Sequence, residues 1–565
     1  MIDLKARPFY LDDEAIAWVN ATRDGMTVEE KAGQLFCVLF KEAKPEEFDY
    51  VHSILSPGGC MYRVIPTERT VAASNVLQAR SRVPLLIAAN LEKGGNGIVS
   101  EGTLVGAPME IAATGEVAMA EKMAEACARE ARAVGANWAF APIIDIDSNF
   151  RNPITNTRTF GSDPKTVREM GAAYVRTVQG LGLAASIKHF PGDGQDERDQ
   201  HLVTSINSMD CDTWMDTYGA AYKAGIEAGA LTAMIGHIMQ PAWSKRLNPH
   251  LKDEDILPGS LSPELLQGLL RGELGFNGLI CTDATTMAGY TLAMSRRKAV
   301  PASIAAGCDM FLFARNLQED YGFMLEGIRK GVITPERLDE AVTRILATKA
   351  ALGLHKGAPA ADAEAAKEIV GCARHHAWAE ECADKGITLV KEQHGVLPLS
   401  PAKYKRILFY TIEPPAGGES SYRVTPACAK VKELLQKEGF EVDDFVPQPY
   451  GEGFTAKYQE FVDKYDLILY VANLSTKSNQ TVVRIEWKQP MGADCGHYLN
   501  DIPTVFVSLE NPYHLLDFPR VKTYINCYSN NDHCIHQVVE KLMGRSAFKG
   551  KSPVDAFCGK WDARL

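Results

Sequence analysis

ASIKHFPGDGQDERDQHL (residues 185–202) decides how the first 355 residues of this chain are read. A small apolar run, Ala185-Ser186-Ile187, ends in Lys188-His189. A Pro-Gly turn follows, then a loop holding four acids (Asp193, Asp196, Glu197, Asp199) and His201. A strand that stops at charged residues and opens into a polar, glycine-bearing loop is a common place for enzymes to put chemistry.

The same pattern recurs on both sides of it. Strand candidates stand at VPLLIAAN (83–90), ANWAFAPIID (136–145), AASIKHF (184–190), LTAMIGHI (231–238), GLICTD (278–283) and CDMFLFA (308–314). Helix-like segments such as EVAMAEKMAEACAREARAVG and DPKTVREMGAAYVRTVQGLG separate them, and Thr27-Val28-Glu29-Glu30 is a capping box opening the helix EEKAGQLF. Strands alternating with helices imply a parallel sheet with right-handed crossovers. Nearly every strand ends polar, at Asn90, Asp145, Lys188-His189, His237, Asp283 and Arg315. In a closed barrel those ends converge on one pocket, so a (β/α)8 TIM-type barrel over 1–355 is expected in preference to an open doubly wound sheet.

LGLHKGAPAADAE (352–364) reads as a linker, and 356–385 as linker plus connecting helix. A second α/β sandwich domain is expected over 386–565, with strands at 406–413, 466–473, 503–511 and 521–528 and no glycine-rich phosphate loop.

Length and composition, 565 residues with 46% hydrophobic and 23% charged, fit a globular protein of two to four domains. A net charge of -11 without a basic stripe argues against nucleic acid as a partner, and no apolar run approaches the length of a membrane span. The N-terminus MIDLKARPFYLDDEAIAWVN lacks the layout of a signal peptide. Thirteen cysteines, scattered without a C-x-x-C pair, fit buried thiols in a reducing compartment, so a cytoplasmic location is expected.

Asp283 leads the candidates for chemistry: a carboxylate at the end of a β-rich strand, equally suited to capping a helix. Asp199 and His201 form an Asp-x-His pair. A carboxylate bonded to one imidazole nitrogen fixes the tautomer and leaves the other nitrogen for proton transfer near neutrality. His189, Asp193, Asp196, Asp199 and His201 invite a metal reading. No H-x-H or H-E-x-x-H spacing supports it, and Lys188 would repel a cation, so no metal and no cofactor is expected. Lys188 and His189 suit a ligand dense in hydroxyls or a salt bridge. Arg158, in NTNTRTFGSDP, suits an ion pair, and His237, in MIGHIMQPAW, suits a satisfied core histidine.

Taken together, TVEEKAGQLF, TRTFGSDP, KHFPGDG, GHIMQPA and LSPELLQGLLRGELGFNGLICTDATTMAG resemble glycoside hydrolase family 3 in order and over most of the chain. GITLVKEQHGVLPL and VSLENPYHLLDFP resemble that family's sandwich domain. The Asp-x-His after KHFPG is similar to the family's β-N-acetylglucosaminidase branch, where the pair acts as acid/base; β-glucosidases of the family usually take a Glu from the second domain. The resemblance implies Asp283 as nucleophile, His201 as acid/base, Asp199 as its orienting partner, and Lys188, His189, Arg158, Asn90 and His237 around the sugar.

Two departures stand out. AANLEKGGNG has Asn90 where the family's D-Q-E-G-G-R run has a sugar-gripping Asp, and PGDGQDE replaces the common PGHGDT. The implied activity is retaining release of terminal β-linked N-acetylglucosamine from a small glycoside or oligosaccharide through a glycosyl-aspartate. Phosphate is a possible acceptor, because a neutral imidazole does not repel an anion. A β-glucosidase or β-xylosidase, and a glycan-binding protein on the same scaffold, are the competing expectations. With Asp283 in view, Asp193 and Asp196 read as solvated loop positions.

Overall fold

Strong apolar runs followed by polar strand ends dictate a sheet that buries its length and exposes its tips, and the computed structural model has this form. It describes residues 2–414, 426–446, 457–475, 477–487, 489, 492 and 494–565. The chain packs as two compact units. One comprises Met1–Val105, Ala120–Asn152 and Pro164–His376; the other comprises Gly106–Met119, Pro153–Asp163 and Ala377–Leu565.

In chain order the first unit contains β1 (Phe36–Phe40), β2 (Gly59–Tyr62), β3 (Leu86–Ala89), β4 (Trp138–Ala139), β5 (Ala184–Phe190), β6 (Ser205–Ile206), β7 (Thr232–Ile235), β8 (Ile238–Met239), β9 (Leu279–Thr282) and β10 (Phe311–Leu312). Eight of these form one parallel sheet in the order β10-β1-β2-β3-β4-β5-β7-β9. A parallel bridge between Cys281 and Met310 joins the two ends and closes the barrel. The two-residue strands β6 and β8 pair with each other outside it.

All seven residues of β5 are buried, as a strand covered on both faces requires. The expected helices form over Val117–Ala133 and Pro164–Gly180. The Thr27 box closes as read: Oγ1 accepts the Glu30 N–H at 3.2 Å and the Glu30 carboxylate accepts the Thr27 N–H at 2.9 Å.

The structure corrects three details. The helix after Thr27 stops at Gln34, because Phe36 already belongs to β1. FCVLF (36–40) and GCMY (59–62) are two further barrel strands beyond the six expected. ANWAFAPIID pairs regularly only at Trp138–Ala139, since Pro142 has no N–H for a ladder. Beyond it Ile143 makes only an isolated bridge to Lys188. All thirteen cysteines are free and ten are buried. Among the described residues no helix is long and apolar enough to cross a membrane.

The second unit holds a six-stranded sheet of β11 (Thr388–Glu392), β12 (Arg406–Ile412), β13 (Glu441–Asp444), β14 (Leu467–Ala472), β15 (Thr504–Ser508) and β16 (Thr523–Asn526). Its order is β11-β16-β15-β14-β12-β13, with β11 antiparallel and the rest parallel. Alternate residues feed two cores, Ile407 and Phe409 on one face, Leu408 and Tyr410 on the other. In-register Tyr410, Tyr470, Phe506 and Tyr524 stack across four strands at 4.2, 5.9 and 5.4 Å. Within residues 356–385, Asp362 caps a helix Ala363–Ile369 and another helix starts at Ala373.

Candidate active site

Barrel closure carries the strand-end residues of the first unit to one mouth. Asp283 follows β9 directly. Its N–H donates to the Ile235 carbonyl at 2.8 Å, which continues the β7–β9 ladder, and its Oδ1 accepts the Ala284 N–H at 2.7 Å. The helix-cap alternative is therefore met only by a single neighbouring amide, and the side chain stays 16% exposed. Burial alone would raise its pKa; the imidazoles of His189, His237 and His201 and the Ala284 N–H overcome this and hold it below the ordinary carboxylate value. Asp283 is thus ionised at neutral pH.

His189 ends β5 beside it, with Nε2 4.0 Å from Asp283 Oδ2. Asp145 grips His189 twice: Oδ2 lies 2.7 Å from Nδ1 and Oδ1 accepts the His189 N–H at 3.1 Å. An acceptor-only carboxylate on Nδ1 places the proton there and turns Nε2 toward the mouth. Lys188 is buried, and its Nζ donates to Glu92 Oε1 at 2.7 Å. Glu92 belongs to AANLEKGGNG, whose chain folds back so tightly that a Cβ at Gly97 would lie 1.7 Å from the Asn90 carbonyl oxygen. Asn90, just beyond β3, is exposed.

Asp199 and His201 form the expected pair. Asp199 Oδ1 accepts the His201 N–H at 2.8 Å and stands 2.7 Å from Nδ1. Asp199 is buried whereas the His201 side chain is 26% exposed, so Nε2 faces outward. The loop is tied to the segment after Asp283. Ala288 N–H donates to the His201 carbonyl at 2.9 Å, Gly289 N–H to the Gln200 carbonyl at 3.2 Å, and Thr204 Oγ1 to the Gly289 carbonyl at 2.8 Å.

His237, expected among the sugar contacts, is instead fully buried. Its Nε2 donates to the Ala284 carbonyl at 3.1 Å, so its Nδ1 accepts from Ser260 Oγ at 2.8 Å. Burial depresses its pKa to about 4 despite the nearby Asp283 charge, and the ring stands neutral behind the Asp283 turn. Arg158 lies in the 153–163 segment that groups with the second unit, where Nη1 donates to the Ile154 carbonyl at 3.2 Å.

Asp193 and Asp196 are not solvated. Asp193 is buried, and burial together with the adjacent Asp145 carboxylate pushes its pKa up to about 6. Asp196 accepts the Ile206 N–H at 2.8 Å and a fork from Arg198. Besides the expected residues, the site uses Asp145, Glu92 and Gln200. Asp145 was visible as a charged strand end, while Glu92 carries no signal beyond lying in the departing AANLEKGGNG run, and Gln200 none beyond being the middle residue of the Asp-x-His pair.

The chain is similar to known proteins along its whole length. Residues 27–348 match the glycosyl hydrolase family 3 N-terminal domain. The chain is 52% identical over 565 residues, all of both chains, to a "Beta-N-acetylglucosaminidase/beta-glucosidase" of Cellulomonas fimi. It superposes with a TM-score of 0.93 and 48% identity on "Beta-glucoside phosphorylase BglX", covering 99% of each chain. On a family 3 β-N-acetylglucosaminidase of Paenibacillus sp. str. FPU-7 the TM-score is 0.79 and the identity 25%, over 95% of this chain and 100% of that one. By its barrel, its matched domain and its full-length relative, the chain belongs to glycosyl hydrolase family 3.

Proposed function

We propose that this enzyme removes a terminal β-linked N-acetylglucosamine or glucose with retention, and that phosphate serves as an acceptor beside water. The observation that carries the reading is the partly exposed His201 held by buried Asp199, on a loop hydrogen-bonded to the turn after Asp283. In the first step an Asp283 oxygen bonds to the anomeric carbon, the bond from that carbon to the leaving oxygen breaks, and His201 gives that oxygen its proton. In the second step an acceptor oxygen displaces Asp283. Water passes a proton to the now neutral His201. Phosphate arrives as an anion and needs no base, and a neutral imidazole does not repel it as a carboxylate would. Lys188, His189 and Asn90 are proposed to hold the sugar, with Glu92 and Asp145 fixing the first two.

N-acetylglucosamine is favoured by the Asp-x-His pair, and the full-length relative whose name includes that activity supports it. Glucose with phosphate as the main acceptor is the second reading. It is favoured by the 48% identical β-glucoside phosphorylase and by Asn90 standing where a charged hydroxyl ligand is usual. The test is a panel of 4-nitrophenyl β-N-acetylglucosaminide, β-glucoside and β-xyloside, each with and without phosphate. Sugar 1-phosphate as a product, with rate rising in phosphate, is expected. Fastest cleavage of the xyloside, or free sugar alone at saturating phosphate, overturns the corresponding part of the proposal.

A further inference from the structure

Asp193 is one of three residues, with Gln195 and Asp196, that separate this loop from the common PGHGDT pattern, and it sits at a junction the two-step chemistry does not use directly. Gly192 and Gly194 flank it with φ of +115° and +100°. A Cβ on the first would lie 2.2 Å from the Tyr218 ring, and on the second 2.0 Å from the Ile146 carbonyl oxygen. Only glycine fits there, so the position of Asp193 is fixed by backbone alone. Its N–H donates to Asp145 Oδ1 at 2.8 Å, and its carbonyl accepts from Tyr218 at 2.7 Å.

Its carboxylate meets donors only. Oδ1 accepts from the Gly194 N–H at 2.7 Å and Asn152 Nδ2 at 3.0 Å; Oδ2 accepts from Gln200 Nε2 at 3.2 Å. Gln200 is the middle residue of Asp199-Gln200-His201. Its amide cannot turn over, because Oε1 takes the His237 N–H at 2.7 Å. A rigid path therefore runs from the Asp145 carboxylate that grips His189, through Asp193, to the backbone between the two members of the proton-transfer pair.

We propose that Asp193 is a positioning residue that sets the height of His201 over the barrel mouth through the side chain of Gln200. The inference rests on the role assigned to His201 above. An amide at 193 offers one acceptor and one donor where three N–H groups point, so one side of the junction must open. His201 then loses its placement while Asp283 and His189 keep theirs.

The consequence is a defect confined to proton transfer. In phosphate-free buffer, Gln200→Ala and Asp193→Asn should lower kcat/KM on a 4-methoxyphenyl glycoside by about tenfold or more. On a 2,4-dinitrophenyl glycoside, whose leaving group needs no acid, the loss should stay under about threefold. Azide, which attacks the glycosyl-enzyme without a base, should restore kcat on the activated substrate with formation of the glycosyl azide. His201→Ala is the reference. If it shows no leaving-group dependence, the role of His201 itself falls. If it shows that dependence and the other two variants lose both substrates equally, or neither, only the positioning role falls. Should Asp193→Asn unfold, as judged by circular dichroism, Gln200→Ala, which keeps the buried carboxylate and its other partners, decides the matter.

Discussion

The mouth of the barrel carries two carboxylate–imidazole pairs of identical length, Asp145–His189 and Asp199–His201, each closed at 2.7 Å. One has its imidazole near the end of strand β5, and the other lies wholly in a loop. The His189 side chain is 8% exposed and its carboxylate also fixes its backbone N–H, so the ring has one orientation and one free nitrogen aimed at Asp283. His201 is three times as exposed and is held by the loop's own hydrogen bonds. Pairing alone therefore does not make a proton-transfer group. What separates the two is access: the strand-borne imidazole is held in one place beside Asp283, and the loop-borne one stands open to meet a leaving group and then an acceptor.

The sharpest way to break this comparison is to remove what both pairs surround. Asp283→Ala should lower kcat/KM by about 10^4-fold or more on every aryl glycoside, whatever the leaving group. Near-normal turnover would dissolve the assignment of both histidines. His201→Ala comes next, with about 10^2- to 10^4-fold loss on poor leaving groups and far less on dinitrophenyl glycosides. The pair at β5 should fail differently. Asp145→Ala leaves three buried N–H donors unpaired and should cost about 3–5 kcal/mol of stability in urea unfolding, along with activity on good and poor leaving groups alike.

The smallest expected effect concerns pH. His237 is neutral in the fold to about pH 4, but its imidazole takes up a proton below about 6.5 once unfolded, so its contribution to stability is lost as pH falls through that window. Asp193 acts in the opposite sense. Raised to about 6 by burial and the Asp145 carboxylate, against the opposing pull of His189 and with Tyr218 and Tyr222 also facing it, it binds its proton in the folded state first, and stability is gained on acidification toward the unfolded carboxylate value. Asp193→Asn should therefore lose stability more steeply between pH 6 and 4.5 than the natural chain, by up to about 1.4 kcal/mol per pH unit. Parallel pH curves would refute this.

Much of the site was legible because barrel chemistry is written at strand ends. Lys188-His189 and Asp283 close apolar runs, and Asp199-x-His201 lies within one loop. What was not legible depends on pairs far apart in sequence: Glu92 meets Lys188 across 96 residues, and Asp145 meets His189 across 44. His237 reads as a satisfied core histidine from its context and as a sugar contact from the family resemblance; Ser260 and Ala284 occupy both its nitrogens, as the first reading has it. Asp193 and Asp196 looked solvated because acids in a glycine-rich loop usually are; only the folded loop supplies the donors that bury Asp193 and hold the half-buried Asp196. In the fold, β2 is four residues of small and mixed character, and β1 runs on from a helix without a break, so periodicity marks neither.

Gln200 stands between an acid that accepts its proton early and an imidazole that accepts its proton late, and a carboxamide has no proton of its own to trade. The junction therefore stores protons at its two ends and none in its middle. Across the mildly acidic range the folded loop takes up a proton at Asp193, and loses a negative charge there, while His237 stays neutral. A fall in turnover there, with the protein still folded, would mark a change in the loop's proton stock rather than the start of unfolding.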